Sequence, residues 1–194
     1  MIARSNPAIR RDLVFVHIGK TGGTSVNRYV HAANQERRRW RLVRHRHSTA
    51  AQVRDLIGPD RWERALKISI VRNPFERYKS ACRQVGVDPN ESRVWDSVRA
   101  GTVYRDKIAK HPRHIFGTQK NSLFIDGELA VDHVFRFEDG FEDLVAFLTE
   151  HGLESTFGHA NKTQRPIVGL TKEARQFVRD YYAEDFSTFN YDKR

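Results

Sequence analysis

Two short apolar segments constrain the fold of this chain more than any other feature of its sequence. Leu13 to Ile18 and Leu66 to Val71 are dominated by β-branched and other apolar residues, which is typical of buried strands. A turn follows each segment, and apolar residues at intervals of three and four follow each turn. Buried strands that alternate with amphipathic helices predict an α/β domain with a mostly parallel central sheet flanked by helices.

Turn and capping residues predict where the helices begin and end. Helix starts are expected near Thr24 or Ser25 and at Ser48, Pro74 and Thr171, and stops at Gly58 and Gly152. A further short helix is expected at residues 94–98, and two further strands, 121–125 and 131–138, about a turn at Asp126 and Gly127. Glu138, at the end of the last of these strands, is expected to anchor the base of a loop or a neighbouring basic residue rather than to act on substrate.

The size and charge of the chain limit its classes of function. Its 194 residues are about one domain, so we expect a single domain over residues 1–194 with a flexible N-terminus at 1–11. A net charge of +10 predicts an anionic partner: nucleic acid, anionic lipid, a phosphorylated cofactor or an acidic polymer. One cysteine, Cys82, excludes an internal disulfide. Because no signal peptide or membrane span is recognisable, we expect a soluble, cytoplasmic protein.

The segment HIGKTGGTS, His17 to Ser25, which we call the first loop, follows the first predicted strand directly. Ligands of parallel α/β sheets bind at this end of the strands, and the free N–H groups of a helix start attract anions. Glycines let a phosphate approach the backbone closely, while lysine adds charge and the hydroxyl residues add donors. The candidate phosphate ligands are Lys20, Thr21, Gly22, Gly23, Thr24 and Ser25.

The first loop resembles the H-I-P-K-T-G-G-T-S loop of sulfotransferases that use 3′-phosphoadenosine 5′-phosphosulfate (PAPS). The resemblance is to the branch that includes heparan and uronyl 2-O-sulfotransferases and small bacterial carbohydrate sulfotransferases. Only Gly19 departs from the pattern, where the family has proline. A second segment, VRNPFERYKS, resembles the family's 3′-phosphate motif, which implies that Arg72 and Ser80 hold the nucleotide's 3′-phosphate. The planar guanidinium of Arg72 suits phosphate by itself.

The resemblance implies transfer of a sulfuryl group from PAPS to a carbohydrate hydroxyl, without a metal ion. Lys20 would stabilise the charge of the leaving phosphate. The segment HRHSTA resembles the family's histidine segment and makes His47 the expected base, with His45 as the alternative. His47 also precedes the predicted Ser48-capped helix, whose positive end favours a neutral imidazole. His17 is interpreted as a packed or loop-orienting histidine.

Two basic regions and one late loop complete the prediction. The late loop, NKTQRP, resembles a family segment that folds over the nucleotide, which implies phosphate contacts by Lys162, Thr163 and Arg165. The basic residues within 37–46 and 93–120 are expected to contact the acceptor, which would itself be acidic. No nucleic acid is expected as a partner, and neither the acceptor's identity nor the oligomeric state follows from the sequence.

Two other functions explain part of the sequence. A nucleic-acid-binding module would use the arginines of 37–46, which are interleaved with Trp40, but would leave both phosphate motifs unexplained. A P-loop-type nucleotide kinase would need a glycine at Val14, inside the first strand. Magnesium dependence separates the kinase from the sulfotransferase, and salt-dependent binding separates the nucleic-acid module.

Overall fold

A four-stranded parallel sheet forms the centre of the computed structural model, which describes residues 11–37, 40–43, 47–102, 115–153 and 168–193. The strands are β1 (Arg11–Val16), β2 (Trp40–Val43), β3 (Leu66–Val71), β4 (Phe124–Ile125), β5 (Glu128–Leu129) and β6 (His133–Arg136). The sheet order is β2-β1-β3-β6, and β4 pairs with β5 in a separate hairpin. The predicted α/β class with a parallel sheet is confirmed. Residues 1–10 of the predicted N-terminal segment lie outside the described residues.

Helices surround this sheet and follow its strands along the chain. The helices of the described residues are α1 (Gly23–Arg37), α2 (Ala50–Ile57), α3 (Pro59–Arg64), α4 (Pro74–Val85), α5 (Ser92–Arg99), α6 (Gln119–Leu123), α7 (Glu142–Glu150), α8 (Lys172–Tyr181) and α9 (Ala183–Thr188). Within the described ranges, none of them combines the length and the apolar character needed to span a bilayer.

Side-chain caps explain several helix boundaries. Asn73 caps α4 by accepting from the N–H of Phe75 at 2.9 Å, and Thr171 caps α8 as predicted. The predicted cap of α2 is wrong, because Thr49 and not Ser48 occupies that position. Thr49 and Gln52 form a capping box, in which each side chain accepts from the other's backbone N–H.

The segment after residue 118 also differs from its prediction. Residues 121–123, expected in a strand, belong to α6, because the Thr118 hydroxyl accepts from the N–H of Asn121 and starts a helix. Asp126 and Gly127, both with positive φ, form the tight turn of the β4–β5 hairpin and do not lead into β6. β6 instead pairs in parallel with β3.

Alternate residues of the strands face two different cores. Leu13 and Phe15 of β1 pack with apolar residues of α1 and α7 on one face of the sheet. Val14 and Val16 face the opposite core, which is built with α2, α4, α8 and α9. Leu56 of α2 belongs to neither core and is 57% exposed.

Candidate active site

The two predicted phosphate motifs meet at one edge of the sheet. β1 and β3 are parallel neighbours, with Val16 opposite Ser69, so the segments that follow them emerge side by side. The guanidinium Nη1 of Arg72 donates to the backbone carbonyl of Lys20 at 3.3 Å. Ends of parallel strands that lie together at the carboxyl edge are the usual ligand site of such sheets.

Side-chain donors hold three consecutive carbonyl groups at the start of the first loop. The Thr21 hydroxyl donates to the Ile18 carbonyl at 2.9 Å, and Arg77 Nε donates to the Gly19 carbonyl at 3.0 Å. Arg72 holds the third carbonyl, that of Lys20. Because the C=O and N–H of a planar trans peptide point in opposite directions, the amides of residues 19–21 are directed away from these donors. These three contacts fix the orientation of the loop's peptide groups, and a preorganised anion site requires such a fixed backbone.

The glycines of the first loop also leave room for neighbouring rings. A Cβ on Gly22, whose φ is +81°, would lie 2.8 Å from Phe137 Cε2, and one on Gly23 would lie 2.1 Å from His17 Cδ2. Lys20 itself has a φ of +71°, which is uncommon outside glycine. The predicted reason for these glycines was access for phosphate, and close internal packing is a second one.

Lys20 reaches from the first loop to the side of α4. Its Nζ donates to Gln84 Oε1 at 2.7 Å. Gln84 lies four residues after Ser80, so the two share one face of the helix, and Ser80 is half-buried. Burial lowers the pKa of Lys20, and the nearby charges of Arg72 and Arg83 lower it further. These groups form a concentration of positive charge.

Arg72 is held in a largely buried position and forms no ion pair with the described carboxylates. Its guanidinium Cζ lies 4.3 Å from the centre of the Phe137 ring. Burial is the main reason its pKa is lowered, while the more distant charges of Glu138 and Glu76 raise it. Among the described residues no carboxylate is within ion-pair distance of Arg72 or Lys20, and the buried Nε of Arg72 has no hydrogen-bond partner. Two cations side by side without a carboxylate between them are suited to an anionic ligand.

The expected anchoring role of Glu138 is confirmed. One carboxylate oxygen, Oε1, accepts from the backbone N–H of Asn73 at 2.8 Å, directly after Arg72. The other oxygen accepts from the Tyr191 hydroxyl at 3.0 Å. Glu138 thus ties the end of β3 to the C-terminal part of the chain.

His47 lies beside the first loop. Its ring centre is 5.0 Å from that of His17, and His17 in turn stacks on Phe15 at 5.6 Å and packs against Gly23. His47 has a φ of +65°, a strained conformation of the kind that collects at functional sites. Since Thr49 caps α2, His47 is one residue further from the helix than predicted.

Several predicted residues lie outside the described part of the chain. They are the alternative base and the three contacts of the late loop, His45, Lys162, Thr163 and Arg165. In the described parts of the second basic region, individual cations are paired locally: Arg93 with Glu91, Arg99 with Asp96 at 3.2 Å, and Lys120 with Glu184 at 3.0 Å.

Four residues that build this site were not among the predicted site residues. Arg83 and Gln84 could have been predicted, because they lie three and four residues after Ser80 and must share its helix face. Arg77 and Gln119 were not, because their partners are 58 and 47 residues distant in the chain. No local pattern marks contacts of that separation.

The described residues form an α/β protein with a positively charged, glycine-containing loop at the carboxyl edge of its sheet. The chain belongs to the sulfotransferase family, whose family model matches residues 8–192. It is therefore a transferase of the sulfuryl-transfer class. Comparisons with curated proteins and with solved structures found no match.

Proposed function

We propose that this protein transfers the sulfuryl group of PAPS to a hydroxyl of a carbohydrate acceptor, with His47 as the base. The observation that carries the proposal is the contact between Arg72 and the Lys20 carbonyl, which joins the two phosphate motifs. A single adenosine nucleotide with phosphates at both ends needs two such groups in one cleft.

The chemistry of the described residues fits this nucleotide. The backbone N–H groups of the first loop and the Lys20 ammonium suit the 5′-phosphosulfate, and Thr24 and Ser25 lie in the first turn of α1. Arg72 and Ser80 are the proposed ligands of the 3′-phosphate, by resemblance to the family motif. Lys162, Thr163 and Arg165 remain proposed contacts of the late loop.

The proposed reaction needs two residues with different roles: Lys20 stabilises the leaving phosphate, and a histidine accepts a proton. PAPS supplies the sulfuryl group: a bond forms between the acceptor oxygen and sulfur while the bond from sulfur to the 5′-phosphate oxygen breaks. Lys20 neutralises the negative charge that grows on that phosphate oxygen, and a preorganised group in such a role contributes roughly 3–4 kcal/mol. His47, or His45 as the alternative, takes the proton of the acceptor hydroxyl.

A carbohydrate that carries its own negative charge is the proposed acceptor. The net charge of +10 favours an acidic polymer over a neutral sugar. The basic residues within 37–46 and 93–120 remain the proposed contacts of the acceptor's anionic groups. Among the described ones, Arg41 pairs with Asp12, Arg93 with Glu91, Arg99 with Asp96 and Lys120 with Glu184, so the acceptor would compete with these carboxylates.

A thermal-shift comparison tests the nucleotide assignment. Adenosine 3′,5′-bisphosphate, the product nucleotide of PAPS, should raise the unfolding temperature in the presence of a chelator. ATP with magnesium and short DNA should raise it less. A larger shift with magnesium-ATP would favour the kinase, and a larger, salt-sensitive shift with DNA would favour the nucleic-acid module.

Transfer itself is measured with PAPS that carries radiolabelled sulfate. We expect label to enter acidic polysaccharides and not their fully O-sulfated forms, in which the acceptor hydroxyls are blocked. Label in a peptide or a small phenol, with none in any carbohydrate, would replace the proposed acceptor class and leave the donor unchanged.

A further inference from the structure

We propose that Gln119 is a positioning residue for Arg72, and that it thereby determines the preference of this site for a nucleotide with a 3′-phosphate. The inference rests on the proposed function and extends it to a residue that belongs to neither phosphate motif. Gln119 acts through Arg72 and through no contact of its own with the nucleotide.

Arg72 occupies a gap between two regular elements. β3 ends at Val71 and α4 begins at Pro74, so neither the strand ladder nor the helix pairs the backbone of Arg72. Unpaired backbone groups at a half-buried position cost stability. They also leave the Cα of Arg72, and therefore its side chain, without a fixed position. A guanidinium that binds one phosphate needs a fixed position.

The side chain of Gln119 fills this gap completely. Its Oε1 accepts from the N–H of Arg72 at 2.8 Å, and its Nε2 donates to the carbonyl of Arg72 at 2.8 Å. The amide thus pairs with one residue as an adjacent strand would. Gln119 is fully buried, so water does not compete for either bond.

Gln119 is itself fixed by a carboxylate from the C-terminal helices. Asp185, fully buried on α9, accepts from the backbone N–H of Gln119 and of Lys120, each at 2.9 Å. These bonds hold the first turn of α6, on which Gln119 is the first residue. The chain of contacts therefore runs from Asp185 through Gln119 to Arg72.

The side chain of Arg72 has few other constraints among the described residues. One guanidinium nitrogen reaches the Lys20 carbonyl, and the ring of Phe137 covers the group. A small shift of the Arg72 backbone would move the guanidinium away from a 3′-phosphate. In the first loop it would release only the Lys20 carbonyl, because Thr21 and Arg77 hold the carbonyls of Ile18 and Gly19. We therefore expect Gln119 to affect the 3′-phosphate more than the 5′-phosphate.

The experiment measures the contribution of the 3′-phosphate in the full-length chain. Calorimetry gives the dissociation constants of adenosine 3′,5′-bisphosphate and of adenosine 5′-monophosphate. The monophosphate constant divided by the bisphosphate constant is the ratio that isolates the contribution of the 3′-phosphate. Two variants are compared with the wild type: Gln119→Met, which loses both bonds, and Gln119→Glu. The glutamate keeps the shape and the acceptor for the Arg72 N–H, but it replaces the donor to the Arg72 carbonyl with a charged oxygen. We expect each to reduce the ratio by about tenfold or more, the range of a charge-assisted hydrogen bond, with a smaller change in monophosphate affinity.

Tyr182→Phe is the matched control. The Tyr182 hydroxyl donates to the carbonyl of Phe116 at 2.8 Å, three residues before Gln119, so its loss loosens the same segment without reaching Arg72. This variant should keep the ratio of the wild type. In an Arg72→Gln background, Gln119→Glu should change the ratio no further, because the group it positions is gone.

The outcomes separate the two proposals. A wild-type protein that binds both nucleotides equally, or neither, would overturn the proposed function. A wild type that prefers the bisphosphate, together with folded Gln119 variants that keep this preference, would overturn the positioning role alone. If Gln119→Met does not fold, Gln119→Glu decides the question. If Tyr182→Phe lowers the ratio as much as the Gln119 variants do, the role of Gln119 is structural and not specific to Arg72.

Discussion

The first loop and the segment around Arg72 both follow a parallel strand, and both are held by side chains from distant parts of the chain. In the first loop, donors hold the carbonyls of Ile18, Gly19 and Lys20, so that the orientation of the backbone is fixed. At Arg72, the backbone is fully paired with Gln119, and the side chain is presented. One region offers amides in a fixed arrangement, and the other offers a single guanidinium.

This difference predicts how each region responds to substitution. Phosphate binding by the first loop should depend on the shape of the loop, because its glycines face the rings of Phe137 and His17. Binding by the segment around Arg72 should depend on the charge and geometry of one side chain and on the groups that position it. The predictions below test this contrast, and the largest effects come first.

The largest effect should come from a residue that belongs to neither region. His47→Ala should lower turnover by about 10²- to 10⁴-fold, the usual contribution of a general base, and leave bisphosphate affinity unchanged. His47→Gly should behave in the same way and be at least as stable, because glycine tolerates the φ of +65°. His133→Ala, at the opposite edge of the sheet, is the control. Full activity in His47→Ala would transfer the role to His45 or another group.

Lys20→Ala should lower turnover by about 10²- to 10³-fold, as loss of a preorganised charge does, and should also weaken bisphosphate binding. Steady-state rates and calorimetry measure the two effects separately. Lys172→Ala, an exposed lysine at the start of α8, is the control. If Lys20→Ala weakened binding and kept the wild-type turnover at saturation, the lysine would be a binding group only.

Gly22→Ala tests the dependence of the first loop on shape. We expect at least about a tenfold loss of affinity for both the mono- and the bisphosphate, because the new Cβ displaces Phe137 or the loop. Gly86→Ala is a close match, since Gly86 has a φ of +78° and a Cβ there would meet nothing within 4 Å. It should cost about 1–2 kcal/mol of stability and no affinity. Equal affinity losses in both variants would remove the argument from ring packing.

The smallest effect is a dependence of affinity on pH. Burial and the charges of Arg72 and Arg83 lower the pKa of Lys20, so its proton is lost at a lower pH than that of a surface lysine. The charged form binds the anion, so bisphosphate affinity should fall by a few-fold as the pH rises through this lowered pKa. Lys20→Arg should flatten the profile, because arginine stays charged. An unchanged slope would place the titrating group elsewhere.

Local patterns were sufficient for much of the fold and for the convergence of the two motifs. The limits of β3 follow from an apolar run that ends at Asn73 and Pro74, and parallel strands bring their carboxyl ends together. The cap of α2 was also recoverable, because only Thr49 has a glutamine three residues later.

The contacts that hold the site could not be predicted in this way. Gln119 and Asp185 meet their partners across separations of 47 and 66 residues, and their neighbouring residues show no periodicity that points to a partner. Buried polar pairings depend on which elements pack together, which only the assembled fold determines.

The tie from Asp185 has a consequence for biosynthesis. Asp185 and Tyr191 are translated after both nucleotide motifs, and both brace the segment around Arg72 through Gln119 and Glu138. A nascent chain in which residues 185–191 are still inside the ribosome lacks both braces. The donor site is therefore completed only after these residues have emerged, and a chain cut short before α9 would carry both nucleotide motifs in its primary structure and still be inactive.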